Sequence, residues 1–232
     1  MNPLFFIPIV LVIAGIIFMV YMNKKHQSAK AEIDLDLERT KYDLYKEQVL
    51  KDDFPQLKQW MKGKSVDAYT SASVPQSKGN KVQEIVTDGI KNVALSAVGL
   101  KLQRIETKCF WVLSGNDLYF FSTDSVGELE EHIVFDNFRI EEAKLEYGGI
   151  LKSQLGLYSK ASEEYLPKTH IITFNIDGNP LSIEIHDRLH YVPDPTDILN
   201  LNKQLLTRAK YQVVGENFVK ELQKKFSNLL VA

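Results

Sequence analysis

The sequence predicts an α+β protein. An apolar N-terminal helix and a charged helical segment precede a seven-stranded antiparallel sheet with one inserted helix and helices that close the chain. Three observations predict this. The first 22 residues carry no charged side chain. The next forty mix charges of both signs with a ragged helical stripe. From Ser65 to His186 short runs rich in β-branched and aromatic residues are separated by Gly-Asn and Asp-Gly turn signals. The 232 residues, 44% apolar and 25% charged with a net charge of −2, exclude wholesale disorder. The lone Cys109 excludes an internal disulfide framework and a multi-thiolate zinc site. A pI near 6.2 gives no nucleic-acid signature.

From Leu4 to Met22 every residue is apolar, Gly, Pro or Tyr. Nineteen residues at about 1.5 Å each reach about 28 Å, close to the hydrocarbon thickness of a bilayer. A cleaved signal peptide would want a basic start and small residues at its end; Met1 and Asn2 are uncharged, and Phe18, Val20 and Met22 are bulky. Residues 1–23 therefore read as a signal-anchor transmembrane helix. Lys24, Lys25 and Lys30 follow it, which places the N-terminus outside and the C-terminal domain in the cytoplasm. The expected localisation is a single-pass membrane protein.

Residues 24–63 read as a juxtamembrane helical spacer. Ile33, Leu37, Leu44 and Val49 give an imperfect stripe, and residues 28–50 could pair with a second copy. Asp53-Phe54-Pro55 stops one helix and starts another, in which Trp60 is a packing anchor. Residues 64–232 read as one folded domain. Its strands are Ser65–Val74, Cys109–Ser114, Asp117–Ser122, His132–Phe135, Phe138–Tyr147, Thr169–Ile176 and Leu181–His186. A helix over Val82–Val98 is inserted between the first two, and Ile150–Pro167 is a long connection. Two helices close the chain: one capped by Asp194-Pro195 with Ile198, Leu201, Leu205 and Ala209 on one face, and one with Val214, Phe218, Leu222, Phe226 and Leu229.

The hairpin Lys108-Cys109-Phe110-Trp111-Val112-Leu113-Ser114-Gly115-Asn116-Asp117-Leu118-Tyr119-Phe120-Phe121 resembles the second and third strands of the pleckstrin-homology (PH-like) superfamily. There a basic residue, an aromatic pair, Val-Leu, a polar turn and Leu-Tyr-aromatic recur. Gly127–Phe135 and the closing amphipathic helix are also similar. The resemblance implies a seven-stranded PH-like barrel or sandwich over roughly Val66–Leu229, capped by the C-terminal helices. Three departures stand out. Cys109 occupies the position of an Arg used by phosphoinositide-binding members, the closing helix lacks a Trp, and the Val82–Val98 helix is additional.

The candidate ligand-binding residues are Lys78, Lys81, Lys101, Arg104 and Lys108, which cluster around that inserted helix. They would contact an anionic lipid head group, or else form a solvated face with the acids among them. His186-Asp187-x-x-His190 has metal-site spacing, but His186 ends a strand, so the spacing does not imply one face. The acidic pair Glu130-Glu131 reads as a solvated strand edge. No nucleophile elbow, phosphate-cradling loop or metalloprotease helix occurs. The expectation is therefore a membrane-anchored binding or scaffold module that recognises a protein or peptide partner, with anionic lipid as an auxiliary ligand. Not an enzyme, it would use no cofactor, catalytic residue or metal and bind no nucleic acid. Two alternatives remain: a structural subunit that assembles through the spacer helix, and a metal-dependent enzyme using His186 and His190.

Overall fold

Alternation along the strands gives the sheet two apolar faces, and each is covered. In the computed structural model, residues 33–74, 108–150 save 125, 166–191 save 177, and 200–230 are described, with positions 13, 16, 17, 20, 21 and 24. The elements are α1 (Leu35–Arg39), α2 (Tyr42–Asp52), α3 (Pro55–Trp60), β1 (Ala68–Ser73), β2 (Cys109–Ser114), β3 (Asp117–Thr123) and β4 (Leu129–Phe135). They continue with α4 (Asn137–Glu141), β5 (Lys144–Ile150), β6 (Lys168–Ile176), β7 (Asn179–His186), α5 (Leu201–Lys225) and a 3-10 turn (Ser227–Leu229).

All seven strands form one antiparallel sheet in the order β4-β3-β2-β1-β7-β6-β5. Its halves join where Ala72 pairs with Ile185 and Ser73 with Glu184. The sheet curls around its inner face, because Phe135 of β4 stacks on Phe174 of β6 with ring centroids 3.8 Å apart. Trp111 lies against both rings, at the centre of an inner core closed by Phe218, Leu222, Phe226 and Leu229. The outer face presents Tyr69, Phe110, Val112, Tyr119 and Phe121 to a second core.

That second core is built by the N-terminal helices. Asp34 caps α1, its carboxylate accepting from the amides of Asp36 and Leu37 at 3.0 and 3.2 Å. Leu35, Tyr45, Val49, Leu50, Phe54, Leu57 and Met61 are buried on the outer face. Phe54 meets Tyr69 and Phe110 edge-on, and Trp60 packs on Phe110 and Phe121. The stretch 35–61 is thus a structural layer of the fold. Of the stripe predicted to face a second chain, Val49 is buried within this chain, and Leu37 and Leu44 are exposed.

The membrane anchor is corrected. Among the described residues no helix is long and apolar enough to cross a membrane. The structure therefore does not support a transmembrane N-terminal helix, an integral single-pass membrane partner or the outside-in localisation. A span requires a helix that is both apolar and about twenty residues long. Within Leu4–Met22 the described positions Ile13, Ile16, Ile17, Val20 and Tyr21 are helical and exposed. Helix α5 has the length, with 25 residues, but it is amphipathic, with Lys and Glu along one side.

Two further readings change. Phe138–Glu141 is a helical turn, not strand: the Asp136 carboxylate accepts from the Arg139 amide at 3.0 Å and starts α4. The two closing helices are one over the described residues, because α5 runs unbroken through Gly215. Its N-terminal half gives Ala209, Tyr211, Val213 and Val214 to the outer core, its C-terminal half Phe218, Val219 and Leu222 to the inner one. The predicted inserted helix Val82–Val98, the connection 151–165 and the Asp194-Pro195 cap lie outside the described residues.

Candidate functional site

Of the predicted basic set, Lys108 is exposed at the start of β2. Lys78, Lys81, Lys101 and Arg104 lie outside the described residues. Cys109 is buried, and burial together with the charge of Glu130 pushes its thiol up to about 11, so it stays protonated at neutral pH.

His186 and His190 are close enough to interact electrostatically, and the charge of one opposes that of the other. The His190 amide donates to Ser71 Oγ at 2.8 Å, while the His186 ring is buried against Ser73. Ser73 Oγ lies 2.5 Å from Glu184 Oε2 and 2.9 Å from His186 Nε2. The serine hydroxyl can donate once, to the carboxylate, so the imidazole donates from Nε2. That leaves His186 Nδ1 as a bare lone pair, buried with no partner. Protonating it would bury an unmatched cation, and desolvation pushes the His186 pKa down to about 4. Among the described residues, no group of three or more His, Cys, Asp or Glu is placed to hold a metal ion.

A stability effect follows. An unfolded histidine titrates near 6.5, so between about 6.5 and 4 the unfolded chain binds a proton that the folded chain refuses. The contribution is present above about pH 6.5 and is lost as the pH falls through about 4, by about 3 kcal/mol. Urea unfolding across this window should show His186→Gln flattening the wild-type decline.

The end strand β4 is largely exposed. Among the described residues no strand pairs with the outer edge of β4. Phe135 is buried and Ile133 leans on the inner core, while Glu130, His132 and Val134 are exposed on the opposite face. There His132 stacks on Phe121 at 6.3 Å and Val134 is paired with Tyr119. Phe138 follows on α4, 69% exposed. The turn before β4 is ordered by Asp124, whose carboxylate accepts from the amides of Val126 and Glu128, both at 2.9 Å.

The charge here is one-sided. Between Asp124 and Tyr147 eight acids face two cations, Arg139 and Lys144, so this stretch carries −6 within a chain of net −2. Glu128, Glu130, Glu131, Glu141 and Glu142 are all exposed. Sequence reading recognised Glu130-Glu131 as a strand edge but not its company, which a charge count over a 24-residue window would have found. Chemically the edge offers backbone donors and acceptors unpaired among the described residues, exposed apolar side chains and a negative potential. No protein-family profile matches the chain, and no curated protein or solved structure matches it either.

Proposed function

We propose that this chain is a binding module of PH-like architecture that recognises an extended, basic segment of a protein partner along the open edge of β4. The observation that carries the reading is the coincidence of an edge strand that no other described strand pairs with, exposed Val134 and Phe138, and a charge of −6 over residues 124–147. The sheet order and the long closing helix support the PH-like reading. An edge of seven residues offers about 23 Å of backbone to a partner strand. The acids select the occupant: two copies of this edge repel each other, whereas lysines or arginines opposite Glu130 and Glu131 are attracted.

Fluorescence anisotropy with a labelled peptide alternating Lys and Val tests this on the full chain. Exposed charges on a strand edge fold normally when reversed, so Glu130→Lys/Glu131→Lys isolates the electrostatic contribution. The double variant is expected to weaken binding about tenfold, from two cross-strand pairs of about 0.2–1 kcal/mol each turned repulsive. Equal affinity of variant and wild type would refute the assignment.

A further inference from the structure

The two halves of the sheet are fastened by few bonds, and those bonds converge on His186. Among the described residues β1 and β7 meet at two pairs, Ala72 with Ile185 and Ser73 with Glu184, whereas β7 is paired with β6 along its whole length. Side chains carry the rest of the seam. Thr70 Oγ1 donates to the His186 carbonyl at 2.7 Å, Trp111 Nε1 to the Glu184 carbonyl at 3.3 Å, and the His190 amide to Ser71 Oγ at 2.8 Å. The His186 ring completes the join through Ser73 Oγ, 2.9 Å from Nε2.

The other nitrogen of that ring is closed to water. Nδ1 is buried with no hydrogen-bond partner, so a proton does not reach it while the ring stays packed in the seam. The charged groups nearby offer it no compensation. Glu184 of β7 lies 4.0 Å from Nε2, the opposite nitrogen, and its carboxylate is taken by Ser73. Asp187 is taken by Arg188 at 2.9 Å, and Glu216 of α5 is forked by Arg39 at 3.0 and 3.2 Å. His190 opposes a second positive charge. From β1 the ring meets a hydroxyl, and on β6 the residue paired with His186 is Thr169. A proton is therefore bound at Nδ1 when the seam opens, because a closed seam would bury an unmatched cation.

We propose that the β1–β7 seam is an acid-operated latch: a proton on His186 Nδ1 holds Ala72 and Ser73 apart from Glu184 and Ile185, while β1 stays paired with β2 and β7 with β6. The exposed imidazole of an open seam titrates near 6.5, and burial pushes that of the closed seam down to about 4. Below about pH 6.5 the open form therefore gains about tenfold on the closed form per pH unit, until about pH 4. Above about 6.5 the ratio no longer depends on this proton. Opening thus starts at the seam before the whole chain unfolds. The latch lies away from the β4 edge and does not depend on the peptide reading.

The test is amide hydrogen exchange of the full chain between pH 7 and 5, above the usual carboxylate range, with protection corrected for intrinsic exchange rates. The amides that bond across the seam, that of His190 included, should be at least tenfold less protected than those of the β2–β3 hairpin. Below about pH 6.5 they should lose about tenfold in protection per unit. His186→Gln keeps a donor for Ser73 but takes up no proton, and should abolish that dependence; His190→Asn should retain it. Equal protection of seam and hairpin in the wild type would overturn the latch, since opening would then be global. A seam whose protection falls just as steeply in His186→Gln would assign the response to another group and overturn it as well.

Discussion

Gly215→Ala is expected to destabilise the protein by about 4 kcal/mol, beyond the usual overpacking cost of about 1–3 kcal/mol. Helix propensity alone predicts the opposite sign, since Ala is favoured over Gly by about 1 kcal/mol inside a helix. The difference is steric. A Cβ on Gly215 would stand 2.3 Å from Arg188 Cα, 2.4 Å from its nitrogen and 2.6 Å from the Asp187 carbonyl carbon. All three are backbone atoms, so no side chain can swing aside. For the helix to retreat, it would loosen the bond from the Leu189 amide to the Tyr211 carbonyl, 3.2 Å. It would also shift the buried Arg188, whose Nη2 reaches the Leu166 carbonyl at 3.2 Å. This crossing lies where α5 passes from the outer core to the inner one. Denaturant unfolding measures the effect as a fall in midpoint at constant slope. A stabilised variant would mean that the helix and the 187–188 backbone do not meet as described.

The second large effect is expected at Trp111. Its ring is fully buried and packs on Phe120, Phe135 and Phe174 with centroids 5.1, 5.8 and 6.2 Å away. Those neighbours come from β3, β4 and β6, so one side chain bridges both halves of the curled sheet. Trp111→Ala should cost about 4 kcal/mol, the sum of lost burial and a cavity that three rings cannot fill. Trp111→Phe keeps most of the packing and loses the indole donor to the Glu184 carbonyl, 3.3 Å away. It should cost about 1–2 kcal/mol. If the alanine variant were no worse than the phenylalanine one, Trp111 would not be the centre of the core.

What the sequence made legible was local. The β2–β3 hairpin lies where the pattern put it, because Gly115-Asn116 is a turn signal and Gly115 adopts φ +56°. The acid-capped turn at Asp136 was missed since Phe138 and Ile140, two apart, mimic strand alternation. The closing helix looked like two because its apolar stripe changes face at Gly215, where two cores meet. The outer layer was hidden for a related reason: Leu35, Tyr45, Val49 and Leu50 do not fall on one clean period, since α1 and α2 are separate helices. The N-terminal apolar run was plain as composition, yet no membrane-crossing helix is found among the described residues.

The candidate sites were less legible than the fold. The acids around β4 are adjacent in sequence, but that β4 is an edge depends on strand order, a property of the whole chain. The cleft lined by Arg39, His170, Asp187 and Glu216 draws them from four separate parts of the chain, and no window of sequence holds them together. Conversely, His186 and His190 are close in sequence and in space, yet no third metal-ligating side chain joins them among the described residues.

Docking of a basic strand on β4 is tested most directly by amide hydrogen exchange of the full chain. With a saturating peptide of alternating Lys and Val, new protection is predicted at backbone amides within Leu129–Phe135 that point away from β3, with β2 and β7 unchanged. Protection appearing elsewhere, or none at β4 while the peptide is bound, would contradict it.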